Sequence, residues 1–169
     1  MIRAIELPDI SRAAEIQVFG WRTAYRGIVS DEILFNRIQV LDKLDRYRDA
    51  AAGKSEEIYV FDDGIIKAFM SIAPCRDADK PDSFELCAVY VEPFFKGQGI
   101  GAEMVKFCER KAFERGFREV CLWVLEENAA SRKFYEKCGY SPDGKRQLIE
   151  GLGVMEVRYV KNLSVAEGL

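Results

Sequence analysis

The chain has no histidine at all. A Ser-His-Asp or Cys-His nucleophile therefore cannot be built, and a histidine-ligated metal is excluded. Any catalytic base must be a carboxylate, a lysine, a tyrosine, a terminus or water. The chain also lacks an apolar run long enough to span a bilayer, and its opening, "MIRAIELPDI", has no basic-then-apolar signal layout. The protein is expected in the cytoplasm, away from membranes. Cys75, Cys87, Cys108, Cys121 and Cys138 make no C-x-x-C pair and no zinc spacing. An odd count of this kind suggests reduced thiols packed as small hydrophobes, with no metal site. Basic residues are not in excess: 25 Lys and Arg stand against 28 Asp and Glu, for a net charge of −3. That is a poor footprint for nucleic acid and mildly favours a small cationic partner.

What is present reads as one domain, 1–169, of the α/β class. Of its residues 49% are hydrophobic and 31% charged, enough for a real core. "IRAIE" alternates like a strand. "PDISRAAEIQVFGWRTAY" is helical, with Asp9 or Ser11 as cap and Ile10, Ala14, Val18, Trp21 and Tyr25 on one face. A short helix is expected in "SDEILFNRI", and an exposed one in "VLDKLDRYRDAA" that stops near Gly53. "EEIYVFDDGIIKAFMSIAP" then reads as a hairpin turning at "DDG", "DADKPDS" as a loop, and "FELCAVYVEP" as a strand ended by Pro93. A helix over about 99–116 follows, with Ile100, Met104, Cys108 and Ala112 inward. "REVCLWVLEE" is a buried strand, "NAASRKFYEKCG" a helix stopped by Gly139, and "GVMEVRYVKNL" a last strand, with one further strand possible beside it. The result is a mixed sheet flanked by helices, with 84–92 and 119–126 as a parallel pair joined by a crossover helix.

The stretch "VEPFFKGQGIGAEMV" carries the chemistry. Three alternating glycines before a helix suit a phosphate held by backbone N–H groups at the positive end of the helix dipole. A P-loop is excluded, because no Lys-Ser or Lys-Thr follows the glycines. "GQGIGA" formally fits the dinucleotide fingerprint, with Glu126 ending the next strand. Its context is wrong: "EPFFK" separates the strand from the first glycine, and the unit lies mid-chain after a hairpin. A pyrophosphate carried by another cofactor is the better answer.

"VEPFFKGQGIGA" resembles the signature of the GNAT superfamily of N-acetyltransferases, V-x-P, a spacer and [QR]-x-x-G-x-[GA]. Lys96 stands in the Gln/Arg position, keeping charge but losing planar hydrogen bonding. "LWVLEENAASRKFYEKCGY" resembles the family's second block, and "WRTAYRGIVSDEIL" and "EVRYVKNL" its acceptor-side helices and last strand. The resemblance implies a GNAT acyl-CoA N-acyltransferase fold, acetyl-CoA as co-substrate and an amine of a small molecule or peptide as acceptor; a protein α-amine or lysine, or a non-catalytic CoA sensor, are alternatives. Homodimers are common among such proteins. It further implies that the backbones of Val89, Tyr90 and Val91 pair with the pantetheine arm. Lys96, Gly97, Gln98, Gly99, Ile100, Gly101 and Ala102 would cradle the pyrophosphate, and Asn128 would hydrogen-bond the pantetheine. Tyr135 would lie at the sulfur.

Asn128 and Tyr135 are two helical turns apart, so they share a face about 10 Å apart along the axis. A phenol can protonate a departing thiolate, which makes Tyr135 the candidate acid. Glu85 is the candidate base: by strict alternation it shares a face with Cys87, Val89 and Val91, where desolvation would make it basic. Some relatives place a glutamate five residues before the asparagine, where this chain has Trp123, so a water relay is the other candidate. Without histidine to activate it, Cys87 is not expected to carry acetyl covalently. Trp21 and Tyr25 could wall the acceptor pocket or pack in the core, and Glu156 and Arg158 share a side and could pair.

Overall fold

The computed structural model describes residues 1–52 and 56–164. Seven strands form one sheet: β1 (Ile2–Ala4), β2 (Glu57–Asp62), β3 (Ile66–Pro74), β4 (Phe84–Val91), β5 (Glu119–Leu125), β6 (Ser141–Ile149) and β7 (Val154–Asn162). Their order is β1-β2-β3-β4-β5-β7-β6. Only β4 and β5 are parallel, joined through helix α3 (Ile100–Glu114) as the pattern requires. Helices α1 (Ile10–Ala24) and α2 (Leu41–Ala51) cover one face, while α3 and α4 (Ala129–Lys137) cover the other.

The helical periodicities translate directly into burial. Ile100, Met104, Cys108 and Ala112 of α3 pack on Phe84, Leu86, Leu122 and Tyr159 of the sheet. Ile10 and Ala14 of α1 face Val60 and Phe69 on the other side. Asp9 does not cap α1. Its carboxylate accepts from the Glu6 N–H at 2.8 Å and pairs with Arg3 at 2.6 Å, closing the preceding 3-10 turn.

Three local expectations gain detail. Residues Ile33–Arg37 form a π-helical turn, with Ser30 near its start. Helix α2 is exposed over much of its surface, as expected, but anchors one face: Tyr47 and Ala50 are buried, and the Tyr47 hydroxyl donates to Gln17 of α1 at 2.5 Å. Its expected stop near Gly53 lies outside the described residues. The possible extra strand is real, β6, although nearly every residue in it is exposed; its pairing with β7 holds it in place.

Gly20 shows how tightly α1 sits on the sheet. A Cβ there would meet Cδ1 of Tyr90 at 2.5 Å. The Tyr90 ring cannot give way easily, since it stacks on Phe69 and its hydroxyl shares a 2.9 Å hydrogen bond with Tyr25. Gly20→Ala is therefore expected to destabilise the protein by about 1–3 kcal/mol through overpacking, read as a fall in the urea midpoint.

Candidate active site

The fold opens at its parallel pair. β4 meets β5 only at Phe84↔Val120 and Glu85↔Cys121, and from Leu86 onward the two strands part. β3 stays paired with β4 as far as Val91, but Ser71 faces Ala88 while Ile72 faces Leu86. Cys87 is thus the extra residue of a β-bulge, which bends β4 away from its neighbour. The β5-facing edge of residues 86–91 keeps backbone N–H and C=O groups without a strand partner, which demand hydrogen bonds from something else.

A cleft of about 490 Å³ occupies the gap, large enough for an extended ligand. Val89, Tyr90 and Val91 form one wall, and Tyr25 just past α1, Trp123 of β5, Asn128 at the start of α4 and Tyr135 within it form the others. Lys96, Gly97, Gly99, Ile100, Gly101 and Ala102 close one end, whereas exposed Gln98 does not line it.

The three glycines do different things. Gly97 and Gly99 take left-handed φ of +78° and +83°, which only glycine adopts without strain, with open space where a Cβ would stand. They turn the chain so that α3 begins at Ile100, and the first N–H groups of that helix have no carbonyl one turn back. Gly101 is already helical. A Cβ on it would press on the Phe134 ring at 3.3 Å, so this glycine serves the packing of α4 on α3. Lys96 is exposed at the mouth, beside these free amides.

Asn128 caps α4, its Oδ1 accepting from the Ser131 N–H at 3.1 Å. Its side-chain NH2 is thereby the half that can meet a ligand. Tyr135, two turns along, also borders the cleft; burial, with Tyr25 and Cys138 nearby, pushes its phenol well above the ordinary value. Ala130, Ser131 and Phe134 line the cleft as well and were missed from the sequence. Ser131 could have been found: it lies three residues after Asn128, on the face that reaches Tyr135.

Glu85 corrects a sequence expectation. The bulge at Cys87 resets the alternation, so Val89 and Val91 join Phe84 and Leu86 on the α3 side. Glu85 instead shares the α1 side with Ala88 and Tyr90. It is buried, does not line the cleft, and its carboxylate is clasped by the Arg76 guanidinium at 2.6 and 3.1 Å. That carboxylate is committed to this ion pair.

A sequence profile of the acetyltransferase (GNAT) family matches residues 13–140. The chain belongs to this family. Among its relatives, YuaI of Bacillus subtilis, described only as an uncharacterized N-acetyltransferase, is 28% identical over 84% of this chain and 79% of its own. Among solved structures, the PaiA N-acetyltransferase of Thermoplasma acidophilum in complex with coenzyme A aligns at a TM-score of 0.76. It has 19% identity, over 96% of this chain and 98% of that one. A GCN5-related N-acetyltransferase of Rhodopseudomonas palustris aligns at 0.77, with 20% identity over 96% and 95%. At such identities the structural likeness establishes the fold alone: a seven-stranded mixed sheet flanked by helices.

Within this GNAT chain the remaining reactive groups sort clearly. Burial beside Glu85 pushes the Cys87 thiol up to about 12, so it stays protonated at neutral pH and is a poor nucleophile. Cys87→Ala is expected to keep kcat within about threefold of the parent in a thiol-release assay; loss of transfer would instead mark an acyl-cysteine route. Glu156 and Arg158 do not pair with each other. Arg158 is held by Asp77, Asp79 and Asp143, all at 2.8–2.9 Å. Among the described residues no group of three or more His, Cys, Asp or Glu could hold a metal, and no helix is long and apolar enough to cross a membrane.

Proposed function

We propose that the chain transfers acetyl from acetyl-CoA to a primary amine of a small molecule or peptide, directly, in a ternary complex. The split between β4 and β5 carries this reading, because it puts an unpaired strand edge, a helix N-terminus and a phenol along one cleft. The edge at Val89–Val91 suits the amide groups of a pantetheine arm, as an added strand would. The Lys96–Ala102 turn suits its pyrophosphate, and the Asn128 NH2 a carbonyl of the arm. The coenzyme A bound to the similar PaiA protein supports the same assignment.

In this reading the amine nitrogen attacks the thioester carbonyl at the bulge. N–H groups on the free edge of β4 stabilise the oxyanion. Tyr135 donates its proton as the C–S bond breaks. Its raised pKa means that the O–H is present throughout the neutral range, which an acid requires.

The test is thiol release from acetyl-CoA against a panel of primary amines and short peptides, with mass spectrometry of the products. Thiol released in step with an N-acetylated amine is the expected result. Tight acetyl-CoA binding with no acetylated product from any amine would refute catalysis and leave a CoA sensor.

A further inference from the structure

β7 sends alternate side chains to opposite faces: Val157 and Tyr159 enter the core beside α3, so Glu156 and Arg158 point toward the α1 side. On that side nearly every carboxylate has a cation. Glu85 holds Arg76, Glu56 holds Arg46 at 2.5 Å, and three aspartates hold Arg158. Glu156 is the exception. Half-buried, it lies opposite Leu125 on one side and Gln147 on the other, and its side-chain partner among the described residues is neutral: Gln147 Nε2 donates to Oε1 at 2.6 Å. Among the described residues no cation is within ion-pair distance of it.

The groups facing Glu156 explain what it lacks. Asp77 and Glu85 repel its charge, and Arg76, the nearby cation, is committed to Glu85. Burial and these like charges hold the carboxyl above its ordinary range. Glu156 does not itself line the cleft; Tyr25 stands between the two, its phenol feeling the Glu156 charge while it lines the cavity where β4 and β5 part. Tyr25 packs here in an apolar cluster with Leu125 and with Trp21, whose ring stands edge-on at 5.2 Å.

A half-buried carboxylate without a counter-ion, near aromatic rings, is completed by an organic cation. We infer that Glu156 receives the acceptor's ammonium group and takes its proton, and that the acceptor is a primary ammonium on an apolar or aromatic body. This rests on the amine-transfer reading above and names its base and substrate class. The protons balance. Glu156 removes one proton from R–NH3+, and the free amine forms the C–N bond. The thiolate leaves with the Tyr135 proton, and the tyrosinate regains a proton from the new amide nitrogen. Glu156 then releases its proton to solvent, so one proton is lost per turnover.

The experiment titrates phenethylamine, and 3-phenylpropionate as its anionic counterpart, into the parent protein and Glu156→Gln by calorimetry. Acetyl-CoA titration of both reports folding and the cofactor cleft. The parent should bind the amine and not the acid, and E156Q should weaken amine binding at least tenfold while acetyl-CoA affinity is unchanged. In turnover with phenethylamine, E156Q should lose at least 100-fold in kcat/KM at pH 7 and much less at pH 10, near the pKa of a primary amine, where a large share of it arrives neutral. Failure of the parent to bind phenethylamine, equal binding by E156Q, or a loss independent of pH would each overturn the assignment. Glu156-dependent amine binding without acetyl transfer would uphold the amine site and refute the transfer reading instead.

Discussion

Tyr135→Phe is expected to lower kcat by about 10²- to 10³-fold, the usual scale for a positioned acid, with acetyl-CoA affinity held within about threefold. The change removes one oxygen and leaves the ring against Phe134 and Tyr140, so packing survives. The pH dependence adds a sign. Burial raises the Tyr135 pKa, so its proton is retained as the pH rises through the ordinary phenol value. The parent's activity should therefore show no alkaline decline owed to Tyr135 below about pH 10. Measuring kcat and CoA affinity on the same preparations separates the acid from a wall residue: a ring that only packs would leave kcat intact.

Arg158→Ala has the largest expected effect on stability. The Arg158 side chain is only 4% exposed, and its guanidinium binds Asp77 and Asp79 from the β3–β4 loop and Asp143 from β6. Removing it takes the main counter-ion from three carboxylates and loosens that loop, which then keeps the Trp123 N–H to Asp77 and the Lys80–Glu119 pair as its ties. The loss is about 3 kcal/mol, since the aspartates are partly solvated, which lowers Tm by about 6–12 °C for a chain of this size. The link to pH follows from Asp79, which Arg158 holds well below its ordinary pKa. A depressed carboxyl contributes stability above its unfolded value, and that contribution is lost as the pH falls below about 4. The parent should therefore lose stability on acidification more steeply than the variant, by thermal unfolding at several pH values. Parallel profiles would show that the aspartates do not depend on Arg158.

What could be read from the chain and what could not divides on physical grounds. The inward face of α3, the hairpin at Asp62–Gly64 and the turn of Gly97 and Gly99 follow from local periodicity and backbone preference, so they were legible. The bulge was not. "FELCAVYV" is apolar on nearly every residue, so inserting one extra position changes no visible alternation, yet it moves Glu85 to the other face from Val89. β6 was obscure for the opposite reason: "SPDGKRQLI" has no apolar face, and only β7 beside it makes it a strand. Glu156 looked like one half of a pair with Arg158, because sequence shows which residues share a face but not that three distant aspartates claim the arginine first.

The central claim is that the opening between β4 and β5 binds an acyl-CoA rather than a dinucleotide. Calorimetric titration of acetyl-CoA and of NADH into the parent protein tests it directly, with Gly99→Val as the site control because that residue's φ of +83° resists a β-branched side chain. Saturable acetyl-CoA binding at one site, lost in the control, with no heat from NADH, is the predicted result. NADH binding without acetyl-CoA binding, or acetyl-CoA binding indifferent to Gly99, would contradict it.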